Sequence, residues 1–190
     1  MKKMFGLSLA LLLLSVQCGF SQERLRVIPS NSKVEFSLRH FTGRAEGHFN
    51  RYSGTLDFDE NAPEKSKVSF EVDVPSVDTA NSTRDDHLRG AEYFDASKHP
   101  KMTFKSESFK KTGKKRYMVT GPLTIKGHTE NVTVPVVLDR KTTLWATGED
   151  SLIFEVTFNI DRTKFGVGES SSLLGSEVKI DLELEFRNAK

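Results

Sequence analysis

Apolar residues recur at every second position in four long runs of this chain, and that period constrains the fold more than any other feature. Val34, Phe36 and Leu38 alternate with Lys33, Glu35, Ser37 and Arg39. Val68, Phe70, Val72 and Val74 alternate with Ser69, Glu71 and Asp73. The runs at 152–160 and 178–186 repeat the pattern, with Phe154, Val156 and Phe158 in one and Ile180, Leu182 and Leu184 in the other. A period of two puts alternate side chains on opposite faces of a strand, so each run is a strand with one buried and one wet face. Weaker alternation marks 44–50, 54–60, 101–106, 116–126 and 129–138, and Gly43, Gly54, Pro63, Gly113, Gly127 and Gly148 stand at breaks.

These segments predict an all-β, antiparallel fold. Strands with one apolar face close into a barrel or stack as a sandwich. Nine segments are one too many for an up-and-down barrel of about eight strands. The short spacing between 33–41 and 44–50 marks that pair as the candidate for one bent strand. A barrel of this size is just wide enough to hold one small ligand. Residues 81–100 depart from the alternation and predict one short helical excursion at about 82–95. Ser82 is the expected cap, Asp85 follows three residues later, and Gly90 is the expected stop.

Residues 1–21 read as a signal peptide: Lys2 and Lys3, an apolar run from Met4 to Val16, and the small residues Gly19 and Ser21 before the expected cut. The apolar run is too short to span a bilayer. Lipidation at Cys18, the rival reading, asks for a small preceding residue and finds Gln17. Export to the periplasm or beyond is therefore expected, with residues 22–190 as one domain. Removing the leader takes two of the 28 basic residues and none of the 26 acidic ones, leaving a formally neutral chain without cysteine. Thiol chemistry and thiolate metal sites are excluded for it, and no net field draws in nucleic acid.

The apolar rows have two readings, an ordinary packed core or the wall of a cavity. The candidate wall is Phe36, Leu38, Phe49, Phe58, Phe70, Val72, Val74, Phe104, Ile125, Val134, Val136, Phe154, Val156, Phe158, Ile180 and Leu182. Fourteen Phe against three Tyr and one Trp favour a large dry interior. Several rows continue in phase to a polar residue. His40, Ser76, Asp78, Arg140 and Arg162 are therefore candidates for the rim of a mouth, where they would meet a headgroup. The bland alternative is that rows become wet wherever a barrel ends.

Other chemistry is weakly represented. Asp85, Asp86, His87 and His99 lack a metal-binding spacing, and Gly168-Glu169-Ser170-Ser171-Ser172 is not a nucleophile elbow. No metal and no catalytic residue is expected. Lys110, Lys111, Lys114, Lys115 and Arg116 surround Gly113. They read as a solvated hairpin tip or, alternatively, as a transient contact with an anionic membrane surface. An open sheet edge would pair two copies of the chain, and the sequence does not assign the strand.

Residues 76–106, SVDTANSTRDDHLRGAEYFDASKHPKMTFKS, resemble the signature region of the YceI-like family of bacterial polyisoprenoid-binding proteins. Segments 32–41, 46–59, 119–136 and 158–167 do the same, in the family's order. Gly90 and the stretch Leu173-Leu174-Gly175-Ser176 depart mildly from the pattern. The resemblance implies a lipocalin-like barrel and an apolar cavity holding an isoprenoid quinone, a polyprenyl lipid or a fatty-acid-like ligand. It also implies export and no catalysis. The expected function is transport, storage or sequestration of that lipid. The alternatives are an enzyme acting on it, with His40 as the base, and a structural or stress-response protein whose barrel is filled by its own side chains.

Overall fold

The computed structural model describes residues 24–41, 43–145, 147–169 and 174–188. The leader therefore lies outside the described residues. Twelve strands and one helix follow in order: β1 (Leu25–Val27), β2 (Lys33–His40), β3 (Gly43–Phe49), β4 (Tyr52–Asp57), β5 (Lys67–Asp73), β6 (Val77–Asp78), α1 (Ser82–Arg89), β7 (Lys101–Lys105), β8 (Ser108–Gly113), β9 (Arg116–Ile125), β10 (His128–Thr143), β11 (Asp150–Asp161) and β12 (Leu174–Asn188).

Pairing reduces the twelve to eight. β1 and β2 lie end to end along β12, and β4 and β3 lie along β1 and β2 in turn. β5 and β6 cover β4 and β3, and β7 and β8 share one side of β9. Each of these four pairs is one strand interrupted by a bend. With β9 to β12 they form an antiparallel meander in which every strand neighbours the next, and β12 returns to β1 to close an eight-stranded barrel. The inward rows meet in the core cluster that fills much of the interior.

The bent strand is not the one the spacing suggested. β2 and β3 form a hairpin with Glu35 opposite His48 and His40 opposite Gly43. The bend falls between β3 and β4, where the Asn50 and Asp73 amides bond to the Ser76 and Arg51 carbonyls. Gly54 is likewise no break. It stands inside β4 opposite Phe70, and a Cβ there would lie 2.6 Å from the Phe70 ring. At the β7–β8 bend, the Gly121 backbone lies so close to Lys105 that a Cβ would fall 2.1 Å from its carbonyl oxygen. Gly127 does turn the chain. Lys126 (φ 49°) and Gly127 (φ 77°) make the tight β9–β10 connection, the left-handed pair that two-residue hairpins favour.

The helix is shorter than the expected 82–95. Asn81, not Ser82, caps it by accepting the Arg84 amide. The Gly90 amide closes it on the Asp86 and His87 carbonyls, and the chain continues in turns to Pro100.

One end of the barrel is plugged by rings. Phe58 packs edge-on against Tyr117 at 5.6 Å and Phe154 at 5.4 Å, and Phe154 against Phe186 at 6.0 Å. The Tyr117 hydroxyl is buried without a hydrogen-bond partner among the described residues. Burial, with the Glu60 charge adding to it, raises its pKa above the ordinary phenol value. Tyr117→Phe therefore removes no protein hydrogen bond. It is expected to leave the unfolding free energy unchanged or higher, against the loss of about 1 kcal/mol typical of a hydroxyl that has a partner; urea denaturation measures the difference.

A buried carboxylate ties the N-terminal segment to β12. Glu185 accepts from Ser151 Oγ at 2.6 Å, Asn31 Nδ2 at 2.8 Å and Arg187 Nε at 2.6 Å. Burial pushes its pKa up, but the hydrogen bonds from Arg187, Ser151 and Asn31 and the Arg187 charge outweigh it and hold the carboxyl below the ordinary glutamate value. A depressed folded pKa contributes stability above the unfolded value, about 4.3, that is lost as pH falls through the folded one. Glu185→Gln meets three donors with a single acceptor. It is expected to lose about 1–3 kcal/mol at pH 7 and to show a shallower fall in stability below about pH 4.5, read from denaturation curves across pH.

Candidate functional site: an apolar chamber beneath a capped mouth

The inward side chains do not fill the barrel. They leave a chamber of about 160 Å³, and every residue that lines it except Glu35 is apolar. Alternation along β2 sends the Glu35 side chain to the outer face. The floor is Phe109, Phe154 and Phe186, and the wall rises through Val136, Val156 and Leu182, which stand side by side in register on β10, β11 and β12.

Above it, at the end away from the ring plug, lies a vestibule of about 570 Å³. Phe36, Phe49, Met102, Ile125, Ile160 and Ile180 line both spaces, so the two adjoin. Phe36 and Phe49 stand 5.5 Å apart at this junction, and Phe49 meets Phe94 edge-on at 6.0 Å. Gly47 makes room for the Phe36 ring, which a Cβ would meet at 2.5 Å.

The vestibule is roofed by α1 and two turns. Leu88, Tyr93 and Phe94 face it from the excursion, and Phe165 and Val167 from the turn after β11. The helix carries little apolar surface and is held by polar contacts. Asp85 accepts both the Thr79 amide at 2.9 Å and its hydroxyl at 2.6 Å. Arg84 donates to the Thr79 hydroxyl and carbonyl, and Arg89 to the Pro75 and Val77 carbonyls. His40, Arg44, Glu46, Thr79, Arg84, His87 and Arg162 are the polar and charged residues that line the vestibule.

All of the expected wall residues line the chamber except three. Leu38 lines the vestibule instead. Phe58 lies beyond the floor, packed edge-on into the ring plug. Val74 is buried outside both spaces, because a 3-10 turn at Val74–Ser76 ends the alternation of β5. That turn also displaces two expected rim residues. The Ser76 hydroxyl accepts the Arg51 amide and donates to the Asp73 carbonyl, fixing the bend. The Asp78 carboxylate accepts the Ala80 amide and an Asn50 N–H and faces His48; these contacts, the Ala80 bond first, hold its pKa below the ordinary aspartate value. Arg140 lies at the opposite end, past an irregularity between Leu138 and Arg140 that shifts its phase, and pairs with Asp139.

His40 and Arg162 do reach the vestibule. Arg162 is 4% exposed, and its guanidinium donates to the carbonyls of Val167, Glu169, Leu174 and Gly175. It shapes the rim and leaves a buried positive charge there. The roof residues Leu88, Tyr93, Phe94, Phe165 and Val167 escaped the alternation because they lie on turns and a helix. The Tyr93-Phe94 pair within a polar stretch was the available signal.

The YceI-like domain model matches residues 25–186, nearly the entire barrel. The chain belongs to the YceI-like family. A UPF0312 protein of Yersinia pestis is 31% identical over 191 residues, covering 97% of this chain and 96% of its own. Two Pectobacterium relatives are 44% and 42% identical over 109 residues, and the chain spans about half their length. Among solved structures, Burkholderia cenocepacia BcnA superposes with a TM-score of 0.77 at 31% identity, over 84% of this chain and 98% of that one. A polyisoprenoid binding domain from Saccharophagus degradans, implicated in plant cell wall breakdown, shares the fold with a TM-score of 0.68 at 15% identity, over 87% of this chain and 98% of that one.

Proposed function

We propose that this YceI-like protein is a non-catalytic carrier that holds one long-chain lipid with its tail in the chamber and its polar end in the vestibule. The observation that carries this reading is an apolar chamber that adjoins a polar-lined vestibule through six shared lining residues. Such a site takes an amphiphile, and the Saccharophagus neighbour, described as polyisoprenoid binding, supports an isoprenoid tail such as a quinone or polyprenyl chain, with a fatty-acid-like chain as the other candidate. Burial of a methylene-sized group contributes about 0.8 kcal/mol, so a five-carbon isoprene unit contributes about 4 kcal/mol without a polar contact. Tail length is then selected more strongly than headgroup. The leader composition supports export, and the role is transport, storage or sequestration outside the cytoplasm.

The test is organic extraction of natively purified protein followed by mass spectrometry, with polyprenyl, quinone and fatty-acid probes titrated into the delipidated protein. A long-chain lipid in stoichiometric amount is expected. An empty extract together with no binding of any probe would overturn the proposal.

A further inference from the structure

The end of the barrel away from the vestibule carries an unusual surface. Residues 108–129 contain no Asp or Glu, and the β8–β9 hairpin within them bears Lys110, Lys111, Lys114, Lys115 and Arg116. Lys115 donates to the Asp139 carbonyl. Among the described residues no carboxylate pairs with Lys110, Lys111, Lys114 or Arg116; the nearby ion pairs are Arg140–Asp139 and Lys141–Glu60. The Leu138 amide bonds to the Lys115 carbonyl, which sets this hairpin beside β10. The hairpin of β10 and β11 runs on past it and carries Trp145, 98% exposed. Val137, also exposed, stands opposite Arg116 in register.

A folded chain has no internal use for an indole left in water. Trp is favoured where an apolar ring meets a wet, polar boundary, and exposed basic residues add attraction to anionic headgroups. We propose that the closed end of the barrel docks on an anionic lipid bilayer, with the β8–β9 hairpin supplying the charge and Trp145 the interfacial anchor. The vestibule then faces away from the bilayer, so surface contact and cargo exchange belong to opposite ends of the molecule. The inference stands apart from the carrier reading, and either can fail alone.

Trp145 is the only tryptophan in the chain, so its emission reports the contact directly. Purified protein is mixed with vesicles of phosphatidylglycerol and phosphatidylcholine, or of phosphatidylcholine alone, and followed by fluorescence and co-sedimentation. A blue shift and sedimentation with the anionic vesicles only, both weakened by salt, are expected. The triple variant Lys110→Gln, Lys111→Gln, Lys114→Gln is expected to reduce partitioning about 100-fold, at roughly fivefold per charge. Trp145→Ser is expected to weaken it further. Phe41→Ser, at the exposed β2–β3 tip near the mouth, is expected to leave it unchanged. Absence of a shift, equal binding to neutral vesicles, an unaffected triple variant, loss of binding with Phe41→Ser, or binding to a soluble polyanion but not to vesicles would each overturn the proposal.

Discussion

Phe154→Ala is expected to lower the unfolding free energy by about 3–5 kcal/mol, the range for removing a buried aromatic ring. Phe154 is buried and joins two structures at once. Its ring meets Phe58 and Phe186 in the plug, and its inner face forms part of the chamber floor. Truncation removes two edge-to-face contacts and leaves a hole that Leu138 and Leu184, the in-register β10 and β12 neighbours held by backbone pairing, are poorly placed to close. For a domain of this size the melting temperature should fall by roughly 6–20 °C. The hole also deepens the chamber, so lipid recovered from the variant should shift toward longer chains. Chemical denaturation reads the first effect and mass spectrometry of extracted lipid the second. Phe154→Leu, which keeps most of the volume, should show a smaller form of both. A loss under about 1 kcal/mol would mean that the plug is loosely packed and the floor is not where the rings place it.

The barrel was legible because its strands bury one face each. Val34-Phe36-Leu38 and Leu152 to Ile160 have no other way to hide alternate side chains, and their inward rows meet as the period requires. What alternation does not carry is the place where a strand bends. β3 and β4 continue one another although the sequence breaks between them, whereas β2 and β3 part although almost nothing separates them. Each bend resets the phase, which is why Ser76, Asp78 and Arg140 left the rim to which their rows pointed. The roof was illegible for a different reason. α1 is fastened by hydrogen bonds of Arg84, Asp85 and Arg89 to backbone and hydroxyl groups of residues 75–79, and such contacts leave no periodic trace. The chamber itself could not be read from the pattern. Inward Val and Phe serve a filled core and a hollow one equally well, and only the geometry separates them.

Val156→Trp is expected to separate hollow from filled in solution. Val156 faces the chamber from the middle of β11, flanked by Val136 and Leu182. If side chains met in the middle of the barrel, an indole there would have no room, and overpacking of that kind typically costs about 1–3 kcal/mol. In a chamber of about 160 Å³ the ring enters existing space, so the fold should lose little. Cargo should lose a great deal. Excluding one five-carbon unit of an isoprenoid tail removes about 4 kcal/mol of burial, which corresponds to about a thousandfold in Kd. Unfolding curves and titration with a quinone or polyprenyl probe read the two outcomes together. A folded variant that no longer takes up lipid supports the carrier. A variant that unfolds, or one that folds and binds as before, argues against a tail lying along β10, β11 and β12 at Val136, Val156 and Leu182.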